Sequence, residues 1–429
     1  MMLSVRRKSF WVWMAIAFCL TWLISCGTPQ PKDSASGEVE FWTMQLQPKF
    51  TDYFNTLIAE FEAQNPGVTI RWVDVPWAAM ESKILTAVAA QTAPDVVNLN
   101  PNFASTLAAR QAWLPLEDRM SEGDRNLYLP GIWKANTLKE MTFGLPWYLT
   151  TRIVLHNQSI LQSAAITEPP KTYAELAQVA QQVKEKTGKF AFFVTFVPED
   201  SSEVLESMVQ MGVTLVDEQG KAAFNTPEGK AAFEYWVDLY QKGWLPREVL
   251  TQGHRRAIEL YQAGEVALLF SGPEFMNAIA TNAPTIAEVT QSSPQITGST
   301  GKINVAVMNL VIPRQTDQPE NALKFALFVT NPENQLAFAQ AANVLPSTVE
   351  SVQEYQTQLK STAQSTPLET ARLIGSQQLD SAEVLIPAMK GLTELKAAIY
   401  DNLQGAMLGE KTVDQALSDA AETWNSMSF

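Results

Sequence analysis

The chain has 429 residues, 46% of them hydrophobic and 18% charged, which excludes a disordered polypeptide and exceeds what one ordinary core holds. Its net charge of −14 argues against nucleic acid or an anionic lipid surface as partner. With 2 cysteines and 2 histidines in all, neither a disulfide framework nor a Cys/His metal centre is expected, and no cofactor is implied.

The first segment is an export leader. Arg6, Arg7 and Lys8 make a basic start, Trp11–Leu20 is apolar, and Leu23-Ile24-Ser25-Cys26 closes the run. The apolar stretch is too short for a spanning helix. Leu-Ile-Ser-Cys resembles a bacterial lipobox, which implies cleavage before Cys26, lipidation of that cysteine, and a chain anchored on the periplasmic side of the inner membrane. The Arg6-Arg7 pair fits twin-arginine export only imperfectly. Removing three basic residues and no acid from the chain's −14 leaves the mature protein near −17. Thr28–Gly37, rich in Pro, Ser and small residues, reads as a tether.

Beyond the tether, Val39–Thr43 reads as a strand, and Thr51 as the cap of a helix to about Gln64, with Phe54, Leu57, Ile58 and Phe61 on one face. Asn65-Pro66-Gly67 stops it. Val68–Val75 is a second strand, and Pro76-Trp77 opens a helix carrying Met80, Ile84, Leu85 and Val88. Val96–Asn100 is a third strand. This β-α-β-α-β order is the grammar of a parallel sheet, whose ligands sit beyond the carboxyl ends of the strands. Thr43, Trp77, Asn98, Asn100 and Asn102 follow such ends; capping and turn formation are the alternative roles for the three asparagines.

Phe143–Asn157 has two characters: a turn-like aromatic piece with Gly144, Pro146, Trp147 and Tyr148, then an apolar run from Arg152 to Asn157. Proline lacks a donor, so Pro146 is expected at an edge or a crossing between two bodies. Trp147 and Tyr148 are then candidates for a cleft, or for a buried interface. Thr172 and Glu175 form a capping box for a helix to about Lys186. Lys189–Val197 and Glu265–Phe270 read as strands, the latter punctuated by Ser271-Gly272-Pro273-Glu274-Phe275. Ile303–Val311 is a strand. The chain is almost wholly helical after Pro319, with a capping box at Thr412–Gln415.

These pieces form a series. F-E-A-Q-N-P-G-V, P-D-V-V, F-G-L-P-W-Y, P-P-K-T-Y-A-E-L, P-E-N-A-L-K-F-A-L-F-V-T-N-P-E and G-E-K-T-V-D-Q-A-L follow one another along nearly the whole mature chain. In that order they resemble the extracellular solute-binding proteins of sugar-type ABC importers, the maltose-binding relatives. The resemblance implies an α/β, two-lobed periplasmic binding fold (type II), each lobe a mostly parallel sheet flanked by helices. It implies crossings near Leu145–Tyr148, Ser271–Pro273 and Val329–Asn331. Lobe one is then 38–148 plus 272–330, and lobe two 149–271 plus 331–429. It also implies a monomer that carries a small carbohydrate to permease subunits and catalyses nothing.

A sugar needs flat apolar platforms together with planar hydrogen-bonding groups. Trp77, Trp147 and Tyr148 are the candidate platforms; Trp42 is a weaker one. Ser271, Gly272, Glu274 and Phe275 form a candidate ligand loop, in which the family often carries tryptophan where this chain has Glu274. That departure, and the lack of an aromatic in Pro387–Ile399, favour a mono- or disaccharide or a glycosyl glycerol over a long stacked chain. Glu199 and Asp200 follow a strand end and are weaker candidates to reach the cleft from lobe two. Arg152 pairs with an acid or touches ligand. Two alternatives stand beside this reading: the same fold with glycerol phosphate or another polar solute as cargo, or an enzyme, such as a lipoprotein glycosidase. The first calls for a basic cluster and the second for a paired-carboxylate spacing, and the sequence displays neither.

Overall fold

The computed structural model describes residues 37–138, 141–362, 366–386 and 389–427, and the side chains of Pro101, Asn102 and Thr362 are not among those described. Cys26, the leader and most of the tether lie outside the described residues.

Twelve strands occur among the described residues: β1 Gly37–Met44, β2 Val68–Val75, β3 Val96–Leu99, β4 Thr137–Leu138, β5 Met141–Thr142, β6 Leu145–Thr151, β7 Ile153–Asn157, β8 Leu268–Ser271, β9 Thr290–Ser293, β10 Ile303–Val311, β11 Leu345–Pro346 and β12 Ala382–Glu383. The main sheet has the order β11-β6-β10-β3-β1-β2, with β12 added beside β10. All four residues of β3 are buried, as expected of a strand covered on both faces. The helix Thr51–Gln64 buries Phe54, Leu57 and Phe61, and Trp77–Ala89 buries Met80, Ile84 and Ala87, each a single stripe at helical spacing. The first of these is capped by Phe50 without a side-chain bond, so Thr51 is its first residue and not its cap. The Thr172–Glu175 capping box is formed, and its helix ends at Gly188, where φ is 72°.

Two cores are present. One gathers Phe41, Phe54, Trp147, Leu310, Phe325 and Phe338, with further residues from 39–149 and 305–379. The other gathers Ile153, Phe192, Trp236, Leu269, Ile279 and Trp424, from 153–296 and 371–424. This corrects the expected lobe assignment. Residues 275–296 belong with lobe two, because Met276, Ile279 and Ile296 fill its core. Residues 331–359 belong with lobe one, because Phe338, Leu345 and Tyr355 fill that core. The crossings are accordingly Arg152 between β6 and β7, the stretch between Ile296 and β10, and the stretch between Leu379 and Leu392.

Two further expectations are corrected. Parallel pairing joins β1 to β2, β1 to β3 and β10 to β12. In contrast β10 runs antiparallel to β3 and β6, and the lobe-two sheet β8-β7-β9 is antiparallel throughout. Lys189–Val197 is not a strand: it makes one isolated bridge, Phe190 to Val266, and its apolar run fills the core at Ala191–Phe196. Pro146 lies inside the main sheet, where the β6–β10 register shifts next to it, so a bulge accommodates the missing donor that predicted an edge.

Candidate functional site

The three crossings are tied by side-chain amides. Gln378 donates to Thr151 Oγ1 at 3.3 Å and to the Arg152 carbonyl at 3.1 Å, and accepts from the Gln295 N–H at 2.6 Å. Gln295 Oε1 accepts from the Asn304 N–H at 2.7 Å, and Asn304 Oδ1 accepts from the Leu385 N–H at 3.1 Å. Thr151 Oγ1 donates to the Asn304 carbonyl at 3.1 Å. Each crossing therefore contacts both others through planar groups that hold direction better than apolar packing does. Sequence reasoning missed this network, because isolated Gln and Asn carry no local signal.

Against this junction lies a cavity of about 170 Å3, lined by Thr150, Thr151, Arg152, Glu206, His254, Ser271, Gly272, Glu274 and Asn304 among others. The strand ends of β6 and β8 and the first turn of Phe275–Asn282 place these groups. The Glu274 carboxylate lies close over Gly272, in the space a Cβ there would occupy. Burial pushes Glu274 up to about 7, against the pull of a backbone N–H and of Lys49. Burial also raises the Tyr148 hydroxyl, and the Glu274 charge adds to it. Tyr148 and Lys49 belong to lobe one and Glu274 to lobe two, so both lobes converge on this carboxylate. Burial and Arg152 hold His254 down to about 4, with Asp200 opposing, so the imidazole is neutral near pH 7.

Arg152 pairs with Glu206. Burial works against its charge, and the Glu206 and Glu203 carboxylates overcome that cost. Asp200 is exposed and accepts from the His254 N–H at 2.8 Å, so it caps His254–Gln262. Glu199 is exposed beside it. Ser271 is buried at the cavity wall, and Phe275 is half-buried at the start of its helix. Trp77 is 45% exposed at the first position of its helix, with its N–H bonded to Gln45 Oε1 at 3.2 Å.

Several sequence candidates are core groups. Trp147 is fully buried, stacked on Phe338 at 4.9 Å and edge-on to Phe41 and Phe54, so it is no ligand platform. Tyr148 is buried on the same cluster, 5.3 Å from Phe338. Thr43 is inaccessible, donating to Asp74 at 2.7 Å and accepting from Trp72 Nε1 at 2.8 Å. Trp42 is buried, donates to Glu40 at 2.6 Å and lies under Lys83 at 4.0 Å. Asn98 is inaccessible and reaches only the Asn309 carbonyl, at 3.4 Å. Asn100 caps the helix Pro101–Ala108 by accepting from the Phe103 N–H at 2.9 Å. The Asn102 side chain lies outside the described residues.

A second interlobe gap, about 760 Å3, lies between Gln111, Leu138 and Met141 on one side and Lys221, Lys390 and Trp424 on the other, and none of the sequence candidates lines it. Among the described residues no group of His, Cys, Asp and Glu is arranged to hold a metal, and no helix is long and apolar enough to cross a membrane.

The pattern of the family described as bacterial extracellular solute-binding protein matches residues 47–336. A proposed oligosaccharide periplasmic-binding protein from Synechococcus sp. MITs9220, solved in complex with zinc, is 45% identical and superimposes with a TM-score of 0.85, over 90% of this chain and 98% of that one. An ABC transporter solute-binding protein from Thermotoga lettingae bound with α-D-tagatose shares the fold at 22% identity and a TM-score of 0.74, over 91% and 99% of the two chains. A proposed binding protein of Brucella abortus is 23% identical over 390 residues, 90% of this chain and 92% of its own.

Proposed function

The chain belongs to the bacterial extracellular solute-binding proteins, and on that premise we propose that it traps a small carbohydrate or sugar-like osmolyte between its lobes and delivers it to an ABC importer permease. A mono- or disaccharide or a glycosyl glycerol is the size we favour. The observation that carries the reading is the junction cavity, where Ser271 and Glu274 from lobe two meet Thr150 and Asn304 at the hinge. Hydroxyls, amides and a carboxylate that is half-ionised near neutrality suit a polyol, which both donates and accepts. The 45%-identical Synechococcus protein is described as an oligosaccharide-binding protein, which supports a carbohydrate ligand, though not the smaller size favoured here.

Trp77 supplies an exposed ring at the start of its helix, and Phe275 a second, half-buried one. Glu199, Asp200 and Arg152 position the site's walls. The protein works as a monomeric carrier without turnover, held by a lipidated Cys26 on the periplasmic face of the inner membrane. Calorimetric titration of the mature chain with glucose, maltose, sucrose, trehalose and glucosylglycerol tests the carrier reading. Micromolar binding of at least one, with no release from nitrophenyl glycosides, is expected; heat-silent titrations throughout, or sugar hydrolysis, overturn it. For the anchor, Cys26→Ser should move the protein from the membrane fraction to the soluble periplasm.

A further inference from the structure

His254 opens the helix His254–Gln262 and lines the junction cavity from lobe two, together with Thr150, Asn304 and Ala306 from the strands β6 and β10 of the main sheet. Its main chain is pinned. The His254 N–H donates to Asp200 at 2.8 Å, and that carboxylate lies over Gly253, in the space a Cβ there would occupy. Its side chain is free. The imidazole is half-buried, and among the described residues it makes no hydrogen bond and no ion pair, yet neither ring nitrogen is sealed from solvent. The chain's other histidine differs: His156 is buried in β7, with its Nδ1 sealed and unpartnered. Burial and the Arg152 guanidinium outweigh Asp200 and hold His254 down to about 4, so its ring is neutral above pH 5. The other charged groups lining the cavity are Glu206, paired with Arg152, and Glu274.

We propose that His254 is a solute-binding residue that reads the hydroxyl pattern of the polyol from lobe two, donating to one oxygen and accepting from another; this rests on the polyol-carrier reading above. A neutral imidazole carries one N–H donor and one bare nitrogen acceptor, and a pair of sugar hydroxyls can satisfy both. A deoxy position satisfies neither, and leaves a group of the closed site unpaired. His254 and Glu274 thereby divide the work in one cavity. Glu274 changes charge near neutrality and carries the pH response of binding. His254 keeps its donor and acceptor throughout that range and supplies direction.

The test uses the mature chain labelled with nitrogen-15 at histidine, which gives signals from 2 rings only. It is titrated with glucose, maltose, sucrose, trehalose and glucosylglycerol, and His254→Gln assigns the signals. The His254 ring should show the neutral pattern at pH 6 and at pH 8. The sugar that binds tightest should shift its nitrogens and leave those of His156 in place. In calorimetry, with thermal melts to confirm folding, His254→Leu should weaken that sugar at least tenfold. His254→Gln, which keeps a donor and an acceptor, should recover part of the loss. The affinity ratio between pH 6 and pH 8 should stay as in wild type for both variants, because Glu274 is untouched. A His254 ring left unshifted by a saturating sugar, or wild-type affinity in His254→Leu, overturns the proposal while the carrier reading stands. A wild-type chain that binds none of the five sugars overturns both.

Discussion

Glu274 holds its carboxylate over Gly272, where burial pushes its pKa up to about 7, and the carrier reading proposed above makes it a contact to ligand hydroxyls that titrates near neutrality. Its ionised form is the better acceptor for sugar hydroxyls, so affinity should rise as pH climbs through 7. Between pH 6 and 8 the change should approach about tenfold, and Glu274→Gln should flatten it, as read by calorimetry at the two pH values. Glu203 presents the opposite case, because it concerns stability. Burial raises it from 4.5 to about 7, and its Oε2 has no hydrogen-bond partner. An acid whose folded-state value exceeds its unfolded one holds an extra proton in the native state. Stability therefore falls as pH rises from 4.5 towards 7 and then levels off. Glu203→Gln should reduce the stability loss between pH 5 and pH 8 by about 1 kcal/mol or more in urea unfolding. Trp77 and Trp147 separate binding from folding in the same way. Trp77→Ala should weaken ligand binding by about 2 kcal/mol or more with little change in unfolding midpoint. Trp147→Ala should cost about 3–5 kcal/mol of stability, because it empties a cluster built on Phe41, Phe54 and Phe338.

Among the elements, the amide network at the crossings matters most. Gln378→Ala removes two donations and the acceptor for the Gln295 N–H, leaving buried groups unpaired. Unfolding should become easier by about 1–3 kcal/mol, and Gln378→Glu, which keeps the acceptor, should recover part of that in the same urea experiment. The sequence made the helices legible because their stripes and caps are local: the Thr172–Glu175 box and the Phe54, Leu57, Phe61 stripe are complete within one or two turns. The strands that were misread depend on distant partners. Pro146 and Trp147 look like a turn until β10 and β11 are laid on either side of β6. Ala191–Phe196 has a strand's composition and a core's packing, a distinction that only its surroundings make. The Ser271–Glu274 loop was legible because its punctuation is local. His254 and Asn304 were not, because each reaches the junction from a segment that displays nothing unusual on its own.

At the scale of the molecule, two cores with separate sheets are joined by three strands of chain that pass through one knot of amides. That arrangement permits the lobes to rotate as units while the junction stays bonded, and a ligand that contacts both lobes then favours the closed arrangement by its differential affinity. Micromolar binding amounts to about −8 kcal/mol, within reach of a ring platform and several charge-assisted hydroxyl contacts. Ligand-driven closure is therefore the claim on which the carrier reading stands. The most direct measurement is the distance between nitroxide labels on Ser82→Cys and Glu394→Cys, two exposed helix positions on opposite lobes, taken by double electron–electron resonance in the mature chain lacking Cys26. Saturation with the best-binding neutral sugar should shorten and narrow the distance distribution; a distribution unchanged by a sugar that demonstrably binds would contradict the account.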